Sequence, residues 1–124
     1  MTDDHPTLAR QLGFERGMKV WFRDMPAPIR SAIDPPGNDL EELVAPSQGI
    51  EGAAIFVDAR DALSKEVHAL HELLTPAGFV WVAWRSGLDE SVVRETGRSF
   101  DMLPTDTAAI GDWTAMKLVG KGAH

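Results

Sequence analysis

Apolar residues are concentrated in three short runs, separated by turn signals and by amphipathic segments. The longest run covers residues 78–84, Gly-Phe-Val-Trp-Val-Ala-Trp, and is followed by Arg-Ser-Gly. Two similar runs cover residues 18–23 and 52–58. Short runs rich in β-branched and aromatic residues predict strands that are buried on both faces. Strands of this kind belong to parallel sheets with helices packed on either side.

A long amphipathic helix is predicted between the second and third of these strands, over residues 60–75. Asp58 or Asp61 would cap its first turn, because a carboxylate accepts the unpaired N–H groups there. Pro76 would end it, since proline cannot continue the helical hydrogen bonds. The core-facing stripe has four residues spaced i, i+4, i+7 and i+11: Leu63, Val67, Leu70 and Leu74.

Shorter elements fill the rest of the chain. We expect helices over residues 6–12, 26–33 and 89–98, because each begins beside a proline or an aspartate that suits a first turn. Residues 40–45, Leu-Glu-Glu-Leu-Val-Ala, are compatible with a short edge strand or with a helical turn. The sequence does not decide between these two.

The C-terminal part of the chain predicts an antiparallel hairpin. Residues 100–110 and 113–119 are both extended runs, and Gly111-Asp112 lies between them as a turn. Strands that alternate with helices predict an α/β domain with right-handed crossovers. The expected fold class is a single three-layer α/β domain over residues 1–124, with a mostly parallel sheet and an antiparallel C-terminal hairpin.

Composition and charge exclude several classes of function. The chain has 124 residues and a formal net charge of -7, with an isoelectric point near 4.9. Such a surface repels nucleic acid and anionic membranes, which are therefore not expected as partners. The absence of cysteine excludes disulfides, thiolate metal sites and cysteine nucleophiles. No signal peptide and no apolar run near the ~20 residues of a membrane span are visible, so we expect a cytoplasmic protein.

Two stretches resemble landmarks of the class I S-adenosylmethionine-dependent methyltransferases. Residues 17–20, Gly-Met-Lys-Val, are similar to the lead-in of their first strand, and residues 74–82 are similar to a Leu-x-Pro-x-Gly turn before a later strand. Through residues 8–14 and 112–119, the chain also resembles a bacterial family of short domains of unknown function. The resemblance implies a Rossmann-like fold and no particular activity.

The chain departs from these methyltransferases directly after the first strand. Their first strand ends in a glycine-rich turn, because only glycine lets the backbone pass close to the cofactor. Residues 23–28 read Arg-Asp-Met-Pro-Ala-Pro, with no glycine and with two prolines that cannot donate a backbone hydrogen bond. We therefore expect no bound cofactor, neither S-adenosylmethionine nor a nicotinamide.

A candidate ligand site lies at the carboxyl ends of the predicted parallel strands. Ligands of open α/β sheets bind beyond this edge. A mixed set of carboxylates and guanidinium groups there suits a small polar ligand. The alternative interpretation is that the aspartates cap a helix and that the arginines lie in solvent. The candidate ligand-binding residues are Asp24, Asp58, Arg60, Trp84, Arg85 and Ser86.

Four tryptophans are many for a small chain without tyrosine. They could be stacking platforms for bases, but Trp21, Trp81, Trp84 and Trp113 all lie in or beside predicted strands. Core packing is the simpler interpretation. We expect Trp84 and Trp113 to be the two that reach a pocket or an interface.

Metal binding and hydrolase chemistry have little support. His68 and His71 are spaced i, i+3 on the long helix beside Glu72, but a zinc site needs a third ligand, so surface histidines are the better interpretation. We expect no metal site. None of the serines lies in a Gly-x-Ser-x-Gly elbow.

Three functional hypotheses follow. The preferred one is a non-enzymatic binding or interaction module that retains the scaffold of a methyltransferase without its cofactor loop. The alternative is an enzyme or binding protein for a small polar metabolite held at the carboxyl-end edge of the sheet. The third is a homodimer joined through an exposed sheet edge or through the C-terminal hairpin.

Overall fold

One sheet of six strands organises residues 8–120, the part of the chain that the computed structural model describes. The strands are β1 (Lys19–Arg23), β2 (Glu41–Glu42), β3 (Ile50–Phe56), β4 (Leu74–Trp84), β5 (Met102–Ile110) and β6 (Trp113–Gly120). They lie in the order β2-β1-β3-β4-β6-β5. The first four run parallel, whereas β6 is antiparallel to both β4 and β5. The predicted mostly parallel sheet with an antiparallel C-terminal hairpin is confirmed.

Within the same residues, four helices connect these strands. They are α1 (Leu8–Gln11), α2 (Ala27–Ile33), α3 (Arg60–His71) and α4 (Glu90–Ser99). The first predicted helix began at residue 6, and its first two residues lie outside the described part of the chain. No helix within residues 8–120 is long and apolar enough to span a membrane.

Two separate apolar clusters cover the two faces of the sheet. The first joins α1 and α2 to one face, with Leu12 and Ile33 packed near Trp81. The second joins α3 and α4 to the opposite face, with Leu63 and Val93 packed in the cluster that contains β4. The three-layer arrangement is therefore confirmed, with one pair of helices on each face.

Strand β4 is central in the sheet and buried over its C-terminal part. It pairs with β3 on one side and β6 on the other, and its residues 78–84 are all buried. Alternate side chains enter opposite clusters: Trp81 packs toward α1 and α2, whereas Val80 and Val82 pack toward α3 and α4. The interpretation of this run as a strand buried on both faces is confirmed.

The prediction that α3 extends to residue 75 is wrong. The helix ends at His71, and Leu74 is the first residue of β4, where it pairs with Ile50 of β3. The carbonyl oxygen of Leu73 accepts hydrogen bonds from the N–H groups of Gly49 and Ile50, at 3.0 and 3.1 Å. These bonds draw the chain into the sheet before Pro76, which lies exposed within the strand instead of ending the helix.

The prediction that Asp58 or Asp61 caps α3 is also wrong. The residue at the N-cap position is Ala59, which has no side-chain acceptor for the free N–H groups. Asp61 lies inside the first turn, where its negative charge interacts favourably with the helix dipole and stabilises the helix. In contrast, the predicted start of α4 is confirmed, because Asp89 caps it and accepts a 3.0 Å hydrogen bond from the N–H of Val92.

The structure decides the open question of residues 40–45 in favour of an edge strand. Glu41 and Glu42 form β2, which pairs in parallel with Lys19 and Val20 of β1. The carboxylate of Glu42 also accepts two hydrogen bonds from the guanidinium of Arg30 on α2, at 2.6 and 2.8 Å. These bonds raise the pKa of Arg30 above its ordinary value. The pair links α2 to the sheet edge.

The short helix α1 is held on the sheet by a buried hydrogen bond. The indole Nε1–H of Trp81 donates to the carbonyl oxygen of Leu12 at 2.7 Å. Beside this bond, the ring of Phe14 contacts the rings of Phe22 and Phe79, with centroids 5.5 and 5.3 Å apart. A Cβ atom at Gly52 would lie 2.8 Å from the Phe14 ring, so this glycine makes room for the aromatic cluster.

We expect Trp81→Phe to destabilise the fold by about 1–3 kcal/mol, because the buried Leu12 carbonyl loses its donor. The measurement is the free energy of unfolding in urea. Trp113→Phe is the matched control, since Trp113 is half-buried and no hydrogen bond from its indole nitrogen is formed within the described residues. Equal losses for the two variants would contradict the anchoring role of this bond.

Candidate functional site

The carboxyl ends of the parallel strands bring most of the predicted site residues to one edge. Asp24 follows β1, Asp58 lies two residues after β3, and Arg85 and Ser86 follow β4. Because β6 runs antiparallel to β4, its first residue, Trp113, lies at the same edge. The strand topology therefore assembles these residues as expected.

Asp58 joins the two loops at the centre of this edge. Its Oδ1 atom accepts hydrogen bonds from the N–H groups of Arg85, at 3.0 Å, and of Gly87, at 2.8 Å. We call this arrangement the Asp58 clamp. It links the loop between β3 and α3 to the loop between β4 and α4, so the Asp58 oxygen that faces this edge is already engaged within the protein.

Gly87 is required at the clamp by close packing. A Cβ atom there would lie 1.8 Å from the carbonyl oxygen of Asp58, a distance that no side chain can occupy. The absence of a side chain lets the second loop lie directly against the first. The sequence offered only the glycine itself as a signal, and a turn was the natural interpretation of it.

The guanidinium of Arg85 is engaged by an aromatic ring. Its Cζ atom lies 4.3 Å from the centre of the Trp113 ring, which is a cation–π distance. Trp113 in turn contacts Phe56 edge to face, with centroids 5.2 Å apart. The Arg85 side chain therefore packs over the start of β6 and closes part of the edge.

The remaining predicted site residues are not gathered around the clamp. Trp84 is 4 % exposed and belongs to the core on the side of α3 and α4. Ser86 and Asp24 are exposed, and Asp24 has a left-handed backbone with φ 54°. Arg60 begins α3 and lines a cleft between α3 and α4. These four residues therefore do not form a single binding site with Asp58 and Arg85.

A half-buried ion pair near the edge was missed by the sequence analysis. Glu66 on α3 is only 8 % exposed, and its Oε2 atom lies 2.9 Å from Nε of Arg23 at the end of β1. The same nitrogen lies 3.8 Å from Asp24. A signal was available, because Glu66 interrupts the apolar stripe between Leu63 and Leu70.

The histidines of α3 form a ring stack with Phe100. The His68 ring lies 5.7 Å from the His71 ring, and each lies 5.3 Å from Phe100. His68 is exposed and His71 is half-buried. Within residues 8–120, no three His, Cys, Asp or Glu side chains are grouped closely enough to hold a metal ion.

The tryptophans divide between the core and its margins. Trp81 and Trp84 are buried, whereas Trp21 and Trp113 are half-buried. The indole nitrogen of Trp21 is buried and has no hydrogen-bond partner within the described residues. Of the two tryptophans expected to reach a pocket or an interface, Trp113 contacts Arg85 at the carboxyl edge and Trp84 packs in the core.

Two concave surfaces of the protein are not lined by the residues of the Asp58 clamp. A cleft of about 690 Å³ is lined by Arg10, Phe14, Arg16 and Asn38, at the end of α1. A second cleft, of about 470 Å³, runs between α3 and α4. Beside this cleft, the Ser91 hydroxyl and the Val92 N–H donate hydrogen bonds to the carboxylate of Asp89. These hydrogen bonds lower the pKa of Asp89. The sequence analysis did not predict either cleft.

We expect Asp58→Ala to destabilise the protein by about 1 kcal/mol, because two hydrogen bonds to a charged acceptor are lost at an exposed site. Asp58→Asn keeps an oxygen that accepts both bonds and should retain most of the stability. Chemical denaturation of both variants provides the measurement. Equal losses in the two variants, or no loss with alanine, would contradict the clamp.

We expect Gly87→Ala to cost about 1–3 kcal/mol, because the new Cβ forces the two loops apart. Gly120→Ala is the matched control, since a Cβ there meets no atom of residues 8–120 within 4 Å. Thermal unfolding of the two variants gives the comparison. A Gly87 variant as stable as the control would show that the loops separate without cost.

Comparisons with known proteins find similarity in structure but not in sequence. No protein-family model matches the chain, and no curated protein matches its sequence. Among solved structures, the ribosomal protein L11 methylase of Lactobacillus delbrueckii is similar with a TM-score of 0.61 and 10 % identity, over 90 % of this chain and 74 % of that one. A magnesium protoporphyrin IX methyltransferase of Synechocystis matches with 0.60 and 6 % identity, over 90 % and 74 %.

A third similar structure is a TehB-like S-adenosylmethionine-dependent methyltransferase of Corynebacterium glutamicum, with a TM-score of 0.56 and 9 % identity, over 86 % of this chain and 82 % of that one. At these identities the likeness concerns the fold alone. The chain therefore has a Rossmann-like α/β fold similar to that of the class I S-adenosylmethionine-dependent methyltransferases.

Proposed function

We propose that this chain is a small methyltransferase-like domain of the bacterial cytoplasm that catalyses no methyl transfer and acts as a binding or interaction module. The proposal agrees with the resemblance of residues 8–14 and 112–119 to a bacterial family of short domains. The observation that carries it is the connection between β1 and α2, which consists of Asp24, Met25 and Pro26 alone.

This connection is poorly suited to a cofactor. A loop that cradles a cofactor brings backbone N–H groups close to it, and glycine permits that approach. The connection has no glycine, and Pro26 and the following Pro28 have no N–H group to donate. Its one left-handed residue is Asp24, whose side chain occupies space that a glycine would leave open. These residues do not fit S-adenosylmethionine.

The Asp58 clamp supports the same proposal. A carboxylate after a neighbouring strand could otherwise bind a polar group of a ligand at this edge. Here Asp58 accepts hydrogen bonds from two backbone N–H groups, and Arg85 packs on Trp113. The polar groups nearest the centre of the edge are thus satisfied within the protein, which favours a structural role for them.

A small polar metabolite at the edge is the alternative. The exposed side chains of Asp24 and Ser86 favour it, because both remain accessible to a ligand. A metabolite held there would contact Asp24, so its binding should weaken in Asp24→Ala. The preferred proposal expects no such ligand.

A protein partner or a second copy of the chain would have a suitable place at β5. This strand is one of the two edge strands of the sheet, and within residues 8–120 its strand partner is β6 alone. Its outward backbone groups can therefore accept another strand. Leu103 on β5 is also an exposed large apolar residue. Light scattering over a concentration series distinguishes a dimer from a monomer.

The test of the proposed function is titration calorimetry with S-adenosylmethionine, together with a thermal-shift screen of nucleotides and small polar metabolites. We expect no saturable heat with S-adenosylmethionine, and no change in unfolding temperature that is lost in Asp24→Ala. A ligand at one hundred times its dissociation constant would add about 2.7 kcal/mol of stability, so binding would be easy to detect.

Saturable binding of S-adenosylmethionine would overturn the proposal. Binding of a different metabolite that is lost in Asp24→Ala would instead establish the alternative. The Asp24 substitution is suitable for this purpose, because that side chain is exposed and its nearest cation, Arg23, is paired more closely with Glu66.

A further inference from the structure

Two arginines without a close carboxylate partner among the described residues line the cleft between α3 and α4. Arg60 and Arg98 both line it. Within residues 8–120, Arg98 has no ion pair, and Arg60 has only an electrostatic attraction to Asp89 without a close contact. These two guanidinium groups are therefore available to a ligand.

Other described arginines are engaged. Arg16, Arg30 and Arg94 each pair with a carboxylate, and Arg85 packs on a ring. Among the other described cations, Lys19, Lys65 and Lys117 have no carboxylate partner either, but none of them lines this cleft. Arg60 and Arg98 are the two that share it.

Helix stability does not explain Arg60. It is the first residue of α3, where a positive charge opposes the helix dipole. Arg98 lies in the last turn of α4, where the dipole does favour a cation. Because a positive charge at Arg60 lowers the stability of the helix, we look for another role for this side chain. Ligand binding in the cleft that it lines would be such a role.

Hydroxyl groups line the cleft together with the two arginines. Ser64 follows Arg60 by one helical turn, and Thr96 and Ser99 line the opposite wall on α4. The hydroxyls of Thr96 and Ser99 donate to backbone carbonyls of their own helix, at 2.9 and 3.0 Å, which leaves their lone pairs as acceptors. The cleft is thus polar along its length.

We propose that this cleft binds a small molecule with two anionic groups, one held by Arg60 and the other by Arg98. A guanidinium group binds a phosphate or a carboxylate through two parallel hydrogen bonds. The cleft volume of about 470 Å³ is within the range of small-molecule sites. Glu95 also lines the cleft, and its carboxylate repels any part of a ligand's negative charge that lies beside it.

The site does not depend on the absence of methyl transfer. It lies on the α3 and α4 side of the sheet, with none of its lining residues in the connection after β1. A failure of this proposal therefore leaves the proposed function unaffected, and the reverse also holds.

The experiment is titration calorimetry of the full chain with inorganic tripolyphosphate and, separately, with citrate, at constant ionic strength. The two probes distinguish phosphate from carboxylate ligands. We expect saturable binding of at least one probe, a dissociation constant raised at least about tenfold in Arg60→Gln and in Arg98→Gln, and no binding in the double variant.

Lys65→Gln is the matched control. Lys65 is an exposed cation on the same helix, and it does not line the cleft. Its substitution removes the same charge and should change the dissociation constant less than about twofold. Thermal unfolding of every variant confirms that the fold is retained. An equal loss in Lys65→Gln, or no saturable binding of either probe, would overturn the proposal.

Discussion

The burial of β4 on both faces is the constraint on which the rest of the domain depends. Val80 and Val82 contribute to one apolar cluster and Trp81 to the other, so a single strand takes part in the packing on both faces of the sheet. Its neighbours β3 and β6 complete its hydrogen bonds from either side. The loops at the carboxyl edge follow these strands directly. The order of the strands therefore determines which loops are neighbours there.

Much of this architecture could be predicted from the sequence, because buried parallel strands are unbroken apolar runs and residues 78–84 have no other stable interpretation. The end of α3 could not be predicted in the same way. Leu74 fits the helical stripe, but the bonds from Gly49 and Ile50 to Leu73 come from a segment far away in sequence. The spacing of apolar residues within one segment cannot show that pairing with a strand elsewhere in the sequence ends the helix early.

The sequence predicted which edge of the sheet these side chains lie at, but it did not predict what they contact there. The switch from strand to loop places Asp24, Asp58 and Arg85 at one edge, and any parallel sheet would do so. What each side chain does there depends on its partners across the chain. Asp58 could serve as a helix cap or as a ligand, yet it binds the backbone of the loop that contains Gly87, 29 residues later. Only the three-dimensional structure defines that contact.

The contact between Arg85 and Trp113 has an optical consequence. The chain has no tyrosine, so its near-ultraviolet emission comes from four indoles. Trp81 and Trp84 are enclosed in the core, whereas the ring of Trp113 lies directly beneath a cationic group at the loop edge. A change in the loop moves that charge relative to the ring, and the emission of this indole changes with it. The domain thus contains its own probe of the carboxyl edge, separate from the two indoles that report on the core.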